Sequence, residues 1–345
     1  MVDSVPLPDA PEQKAPTDGD AQPELVTEPT FSHTPTDSSV TWVAGTVWKE
    51  VYETYNMMES NLFGHMSLPM IGCMVPSMMA LSQLNGAMSV GQYAGILAKS
   101  LVWFFWFGYM LDIENQFHGV EEDKLNKLPT KQKRPLVTGA WTMAGAQQRI
   151  WISRIVYTAV SGLIGGVPLT QYALVWIATC KFHYTVKPCN FITKNYISMM
   201  AASYCMLMGA WIMAGGPTNF TTTWPFLCTA VWVGLSMNVQ DIRDEAGDRI
   251  IHRLTVPVLI GVENARKLWA VEVGLCSAIA FYVLRNRMSM GDTILAAGVV
   301  GMMVQSLLAK STRDDNILYR NYIGFLYPAF GRAVFWVLKG MVSIG

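Results

Sequence analysis

The chain has 345 residues, of which 51% are apolar and only 14% are charged, and its mean hydropathy is positive. This balance is typical of a protein embedded in a lipid bilayer and argues against an ordinary soluble enzyme. The formal net charge is zero, so the basic surface that nucleic-acid binding requires is missing, and no nucleic-acid partner is expected. The six cysteines are scattered through apolar stretches and form no C-x-x-C pair, so neither a disulfide framework nor a zinc site is supported.

The amino-terminal segment differs in composition from the rest of the chain. Residues 1–41 are rich in Pro, Asp, Glu, Thr and Ser, and they lack the charged start and apolar run of a signal peptide. We predict that they form a disordered cytosolic tail, with a regulatory arm as the alternative. From Trp42 to about Phe63, apolar side chains recur at helical spacing among charged ones, which predicts an amphipathic helix lying on the membrane. Residues 42–345 are predicted to form one membrane-embedded domain.

Apolar stretches then recur along the chain, and a span of the bilayer core needs roughly 17 to 25 residues. The fourth stretch is short, so we expect it to be tilted, kinked by the neighbouring glycine pair, or extended into the following loop. The fold class is therefore predicted to be all-α, a transmembrane bundle of about nine spans. The nine are Leu62 to Leu84, Tyr93 to Ile113, Ala146 to Ile164, Pro168 to Cys180, Ile197 to Ala214, Trp224 to Asn238, Leu268 to Val283, Thr293 to Leu308 and Ile323 to Val342.

The basic residues between these stretches define an orientation. They are concentrated in the second, fourth, sixth and eighth loops, whereas the opposite side has little beyond Arg285 and Arg287. By the positive-inside rule, the amino terminus and the charged loops face the cytosol. The protein is accordingly predicted to be integral to an internal membrane, the endoplasmic reticulum, with its active site on the cytosolic side.

A first group of potential metal ligands follows the second predicted span. Because each helical residue turns the chain by about 100°, Asn115, His118 and Glu122 lie on nearly one face and Asp123 lies on its flank. A second group follows the sixth span, where Asp241, Asp244 and Asp248 stand at i, i+3 and i+7. A stripe of like charges is destabilising by itself and is explained if a hard divalent cation, typically Mg²⁺, lies between the carboxylates.

Two acidic helix ends on one side of a membrane suit a diphosphate bridged by Mg²⁺, because magnesium keeps few protein ligands and prefers substrate phosphates. Basic residues nearby are predicted to neutralise the departing diphosphate. These are Lys124, Lys127, Arg134, Lys194, Arg249 and Arg253. For either motif alone, a solvated cap at the end of a span is an equally good explanation, but two such motifs on one side favour a site.

The motifs and their flanks resemble the UbiA superfamily of intramembrane prenyltransferases, whose motifs read N-x-x-x-D-x-x-x-D and D-x-x-D-x-x-G-D. The run from Asp123 to Lys127, the run from Arg134 to Gly139 and the run from Leu254 to Val258 resemble the family's flanking sequences. The resemblance covers about residues 60 to 340. It implies a nine-helix bundle with a central cavity, a prenyl diphosphate held by two Mg²⁺ ions, and a lateral opening to lipid.

The first motif departs from the family pattern. Gly119 replaces the middle acid, Glu121 and Glu122 follow it, and the spacer from Leu128 to Lys133 is longer. We expect Glu122 to take over metal binding, since it lies almost on the face of Asn115. The form N-Q-x-x-G-x-x-E-D resembles the fungal UbiA-type terpene cyclases. The implied metal ligands and catalytic residues are Asn115, Glu122, Asp123, Asp241, Asp244 and Asp248.

This resemblance implies a class I cyclase that ionises farnesyl diphosphate with Mg²⁺ and closes the chain to a bergamotene-like sesquiterpene in secondary metabolism. The alternative is a prenyltransferase that joins the same cation to an aromatic acceptor. A transporter or membrane scaffold is a third alternative, but it predicts functional acids near the bilayer midplane and inverted repeats. The acids of the two motifs lie at cytosolic ends of predicted spans, and the sequence has no convincing repeat. Chain length of the substrate, the product and the oligomeric state stay open.

Overall fold

The structure is a computed structural model that describes residues 39–59, 61–62, 73–86, 88–125, 129–185, 190–250, 253–284, 290–326, 331–332 and 335. Nearly all of the predicted tail lies outside these residues, as does most of the last predicted span. By internal contacts the chain divides into two units, Met1–Val47 and Trp48–Gly345. The described end of the first unit, from Ser39 onward, is helical, and all helices discussed below from α2 onward belong to the second unit.

The described residues form helices, with one parallel bridge between Asn190 and Leu254. The helices in chain order are α1 (Ser39–Met58), α2 (Val75–Asn85), α3 (Val90–Leu125), α4 (Pro129–Gln132), α5 (Pro135–Thr138), α6 (Met143–Thr185), α7 (Ile192–Met213, π-helical over Ile192–Met199), α8 (Phe220–Ser236), α9 (Asn238–Ile250), α10 (Val256–Ile260), α11 (Val262–Leu284), α12 (Met290–Leu308) and α13 (Thr312–Asn321), which continues as a π-helix over Tyr322–Leu326. The predicted all-α fold class is confirmed.

Four of the described helices, α3, α6, α7 and α12, are long and apolar enough to cross a bilayer. The count of nine spans stays a prediction. The third and fourth predicted spans belong to one stretch, α6, in which Gly166 has φ 63° and ψ −154°. These angles are outside the helical region and suit only glycine, and Pro168 two residues later lacks a backbone donor. Two helical segments therefore meet at Gly166, as the glycine pair predicted.

The first acidic motif is continuous with a helix long enough to cross a bilayer. A helix of 36 residues such as α3 is about 54 Å long, whereas the hydrocarbon core is about 30 Å thick. Part of α3 must therefore extend beyond the core, and its last turns carry the first motif. The second motif lies on α9, which starts two residues after α8 ends at Ser236.

Aromatic side chains and small residues fix α3 against its neighbours. The ring of Trp103 on α3 lies close to α7, since a Cβ atom added to Gly209 would be 2.5 Å from that ring. The indole N–H of Trp103 also donates a hydrogen bond to Ser161 of α6 at 2.9 Å. Phe107 of α3 stacks on Trp176 of α6, with ring centroids 4.4 Å apart. In lipid, close packing at small residues and interhelical hydrogen bonds hold spans together. These contacts hold α3, whose carboxyl end carries the first motif.

The placement of α1 on the membrane surface stays a prediction. Trp48, Val51 and Tyr55 are exposed, whereas Met57 and Met58 at its end are buried. Exposed aromatic and aliphatic side chains on a helix beside membrane spans suit the interface of the bilayer.

Candidate active site

One arginine joins the two acidic motifs. Arg253, three residues after α9, donates hydrogen bonds to Asp248 at 2.8 Å and to Glu122 at 3.3 Å. The carboxyl end of α3 and the helix α9 therefore meet, and acids from both motifs share one cation. This contact places the two acidic motifs opposite one another.

The first motif is held by basic residues from the segment after α3. Glu122 accepts a hydrogen bond from Lys131 at 3.0 Å, and the same ammonium group is 3.6 Å from Asp123. Asp123 is buried and accepts a hydrogen bond from Arg134 at 2.6 Å. Asn115, two turns earlier, accepts a hydrogen bond from the Tyr184 hydroxyl at 3.3 Å. All three predicted ligands of this motif are thus partly or fully buried and oriented.

In the second motif, Asp241 and Asp248 are fully buried. Asp241 forms an ion pair with Lys194 and accepts a hydrogen bond from the Asn195 amide at 2.7 Å. Asp248 uses only Oδ1 for Arg253, and its buried Oδ2 has no hydrogen-bond donor within the part of the chain that the structure describes. An unsatisfied buried carboxylate oxygen is costly and calls for a cationic partner.

Asp244 is arranged differently. It forms a two-pronged ion pair with the adjacent Arg243, both contacts being 2.9 Å, and the guanidinium group lies 4.3 Å from the ring centre of Tyr319. The pair is partly buried, and the planar guanidinium is suited to hold a carboxylate through two hydrogen bonds. Both carboxylate oxygens of Asp244 are therefore bound to Arg243 in this arrangement.

The surroundings of Asp248 and Asp244 shift the pKa values of these two carboxyl groups in opposite directions. Burial raises the pKa of Asp248, and Lys194 and Arg253 offset only part of this effect because Asp241 and Asp244 add like-charge repulsion. Burial also opposes ionisation of Asp244, but Arg243 and the more distant lysines outweigh it and keep the pKa of that carboxyl below its usual range. Asp248 thus has the stronger need for additional positive charge.

Two of the predicted diphosphate ligands lie away from this cluster. Lys124 forms an ion pair with the exposed Glu121 at 2.9 Å, and Arg249 pairs with Glu245 one turn earlier on α9 at 2.6 Å. Lys127 lies outside the described residues. The structure brings together Arg134, Lys194 and Arg253 of the predicted basic set.

The structure adds two residues that the sequence reading missed. Lys131 comes from the longer spacer, and the departure of that spacer from the family pattern was the signal that could have drawn attention to it. Asn195 stands beside the predicted Lys194, but a single amide in an apolar stretch carries no signal of its own. Its amide nitrogen donates to Asn238 as well as to Asp241, both at 2.7 Å.

The chain matches the model of the UbiA prenyltransferase family over residues 74–327. It belongs to this family. It is 31% identical over 168 residues to a diterpene cyclase of Hericium erinaceus, covering 48% of this chain and 52% of that protein. It is 28% identical over 236 residues to a somaliensene A/B synthase of Streptomyces somaliensis, covering 68% and 72% of the two chains.

A third relative is a polyprenyl transferase of Hericium erinaceus, 29% identical over 167 residues that cover 48% of this chain and 56% of that protein. The chain thus spans about half the length of the fungal relatives it matches. A diterpene cyclase, a somaliensene synthase and a polyprenyl transferase are all similar to this UbiA-family chain. Family membership alone therefore does not choose between cyclisation and prenyl transfer.

Solved structures agree with the fold. A UbiA homologue from Archaeoglobus fulgidus bound to GPP and Mg²⁺ has a TM-score of 0.56 and 13% identity, covering 82% of this chain and 99% of that one. The same homologue bound to DMAPP and Mg²⁺ has a TM-score of 0.57, 14% identity and the same coverage. The UbiA-like helical bundle predicted from the sequence is confirmed. Its central cavity stays a prediction.

The side chains of the two motifs can be tested for their fit to the Mg²⁺ ion that the family resemblance implies. Within the described residues, no three Asp, Glu, His or Cys side chains converge as a ready-made metal site. Lys131, Lys194 and Arg253 occupy the spaces between the acids instead. The unpartnered Oδ2 of Asp248 nevertheless fits a hard cation, and magnesium takes a large share of its ligands from phosphate and water. The residues fit a metal that arrives together with a diphosphate.

Proposed function

We propose that this protein is a membrane-bound, Mg²⁺-dependent class I terpene cyclase that ionises a prenyl diphosphate and closes the resulting allylic cation on its own double bonds. The observation that carries the proposal is the shared arginine: Arg253 contacts an acid from each motif, next to a buried carboxylate oxygen without a donor. Similarity to a diterpene cyclase and a somaliensene synthase supports cyclisation over other reactions of prenyl diphosphates.

Each group in the site has a defined task in this reaction. The carboxylates of Glu122, Asp123, Asp241, Asp244 and Asp248 and the amide of Asn115 would hold the metal. When bound, Mg²⁺ would neutralise the diphosphate oxygens and so favour cleavage of the allylic C–O bond. Preorganised cations at a leaving group stabilise the charge that develops there. Lys131, Arg134, Lys194 and Arg253 would turn from the acids to the diphosphate.

The helix α3 leads from the site into an apolar bundle that suits an allylic cation. Trp103, Phe104, Phe107 and Tyr157 are fully buried and lie with ring centroids 5.1 to 6.4 Å apart where they contact. Aromatic faces attract cations, and tight apolar packing keeps out water that would trap the cation as an alcohol. We propose that the hydrocarbon part of the substrate folds against such surfaces.

The chain length of the substrate is a finer part of the proposal. The first motif resembles fungal sesquiterpene cyclases, so we propose farnesyl diphosphate and a bergamotene-like product. Because the chain is similar to a diterpene cyclase, geranylgeranyl diphosphate is the second substrate to test beside farnesyl diphosphate. An active site on the cytosolic face of the endoplasmic reticulum is proposed from the distribution of basic loops.

The proposal can be tested with membranes that contain the full chain. They are incubated with farnesyl or geranylgeranyl diphosphate and Mg²⁺ without any acceptor, and the organic extract is examined by mass spectrometry. We expect a cyclic hydrocarbon that disappears on chelation and in the D241N variant. If no hydrocarbon forms from either substrate, the cyclase proposal is wrong.

Prenyl transfer is the second candidate, favoured by the similarity to a polyprenyl transferase. The same membranes are then supplied with hydroxybenzoic acids or other phenols. A prenylated aromatic product, formed only when the acceptor is present, would replace the cyclase proposal and leave the diphosphate site unchanged.

A further inference from the structure

One carboxylate lies inside the bundle apart from both acidic motifs. Glu272 is near the middle of α11, between apolar residues in sequence, and its side chain is partly buried. The amide of Asn238 donates to it at 3.1 Å, and the hydroxyl of Tyr196 donates to it at 3.4 Å. Glu272 falls within the predicted span Leu268 to Val283. An acidic side chain within such a span is costly, so its presence calls for a function.

A short hydrogen-bonded chain links Glu272 to the second motif. Asn238 accepts a hydrogen bond from the Asn195 amide, which also donates to Asp241, both at 2.7 Å. Asn238 is three residues before Asp241 on α9, so its place is about 4.5 Å further along the axis towards α8. Glu272 is therefore joined to Asp241 of the second motif through the side chains of Asn238 and Asn195.

The charge of Glu272 is not cancelled. Its two hydrogen-bond donors are neutral, and in the described ranges no Lys, Arg or His lies within ion-pair distance. A carboxylate held by neutral donors in an apolar surrounding is attracted to a cation and is competent to take a proton from it. The acids of the two motifs differ, since Lys131, Lys194, Arg243 or Arg253 already pairs with them.

We propose that Glu272 accepts the proton whose loss ends the reaction, an inference that rests on the proposed cyclase function. Ionisation leaves an allylic cation and free diphosphate. After cyclisation, a C–H bond next to the cationic carbon breaks, its electron pair forms the new C=C bond, and the proton goes to a carboxylate oxygen of Glu272. The proton then passes to the diphosphate, which leaves protonated, so that substrate is converted into hydrocarbon and hydrogen diphosphate.

The test separates ionisation from proton loss. E272Q keeps the shape of the side chain but removes its basicity, and E263Q on the exposed amino-terminal turn of the same helix is the matched control. For each variant, Mg²⁺-dependent release of diphosphate and the profile of organic products are measured with farnesyl and geranylgeranyl diphosphate. Thermal unfolding in detergent checks that each variant is folded.

We expect E272Q to release diphosphate at a rate within about threefold of the native rate. Its share of the native hydrocarbon should fall by about tenfold or more, with alcohols or isomeric hydrocarbons in its place. E263Q should give the native profile. An unchanged profile from E272Q overturns the inference, and so does a loss of diphosphate release in folded E272Q, which would make Glu272 a positioning residue for Asp241.

A second variant covers the case in which E272Q does not fold. E272D withdraws the carboxylate from its two donors by one methylene, so an altered product ratio supports the inference and a native ratio overturns it. If the native protein releases no diphosphate from any prenyl diphosphate, the proposed function itself fails. That result is distinct from a changed product profile.

Discussion

Arg253 and Glu122 are 131 positions apart in the chain, yet the guanidinium group of one lies 3.3 Å from the carboxylate of the other. The same arginine is 2.8 Å from Asp248. The pairing shows that the two acidic helix ends meet in space, which each motif alone could only suggest. It also gives the site a cation that both motifs share.

Removal of this shared cation is the first prediction. R253Q should lower diphosphate release by about 100-fold, because a preorganised charge at the leaving group is lost. It should also lower the free energy of unfolding by about 2 kcal/mol, less than for a fully buried pair because 21% of the arginine side chain is exposed. R249Q is the control, since Arg249 pairs with Glu245 outside the cluster. Equal effects of the two variants would contradict the assignment.

The unpartnered oxygen of Asp248 gives a second prediction. D248N should leave the metal-free protein within about 0.5 kcal/mol of native stability, because burial already disfavours the ionised form and Oδ1 can still accept from Arg253. The stabilisation by Mg²⁺ plus inorganic diphosphate should disappear. Thermal unfolding with and without these ligands measures both effects, and E245Q on the same helix serves as control. Native-like stabilisation of D248N would show that its oxygen is not a metal ligand.

Lys131 and Lys124 provide a third comparison. Lys131 lies against Glu122 and Asp123, whereas Lys124 pairs with an exposed glutamate. K131Q should raise the KM for the prenyl diphosphate by about tenfold, as expected for loss of one charge-assisted hydrogen bond. K124Q should change KM by less than about twofold, because exposed ion pairs contribute little. The opposite order would restore the sequence-based assignment of Lys124.

The packing of α7 on α3 gives a fourth prediction. In G209A the new methyl group would lie 2.5 Å from the Trp103 ring, so the helices must move apart. We expect a loss of about 2 kcal/mol in the free energy of unfolding, and a matching drop in the thermal unfolding temperature. G301A in α12, where nothing lies within 4 Å of the added atom, should stay within about 1 kcal/mol of native. Similar losses in both variants would refute the proposed contact.

Several features followed from the sequence because they depend on neighbours along the chain. Apolar length predicted the membrane helices α3 and α12, and the glycine pair predicted the break at Gly166. Helical spacing placed Asp241 and Asp248 on one stripe of α9. Such features are set by the periodicity and conformational limits of the backbone, which act over a few residues. The bounds of the spans were less well predicted, because α3 and α6 run on beyond their apolar parts.

The pairing of charges could be decided only by the tertiary structure. Lys124 and Arg249 are in the motifs but turn to acids on their own helices, whereas Lys131 and Asn195 reach the site from other segments. Glu272 is likewise an isolated acid in sequence and a neighbour of the second motif in space. Sequence spacing thus determined which acids lie on one helix face. Helix packing decided which cations and amides face them, because contacts between segments depend on distances that the local pattern does not contain.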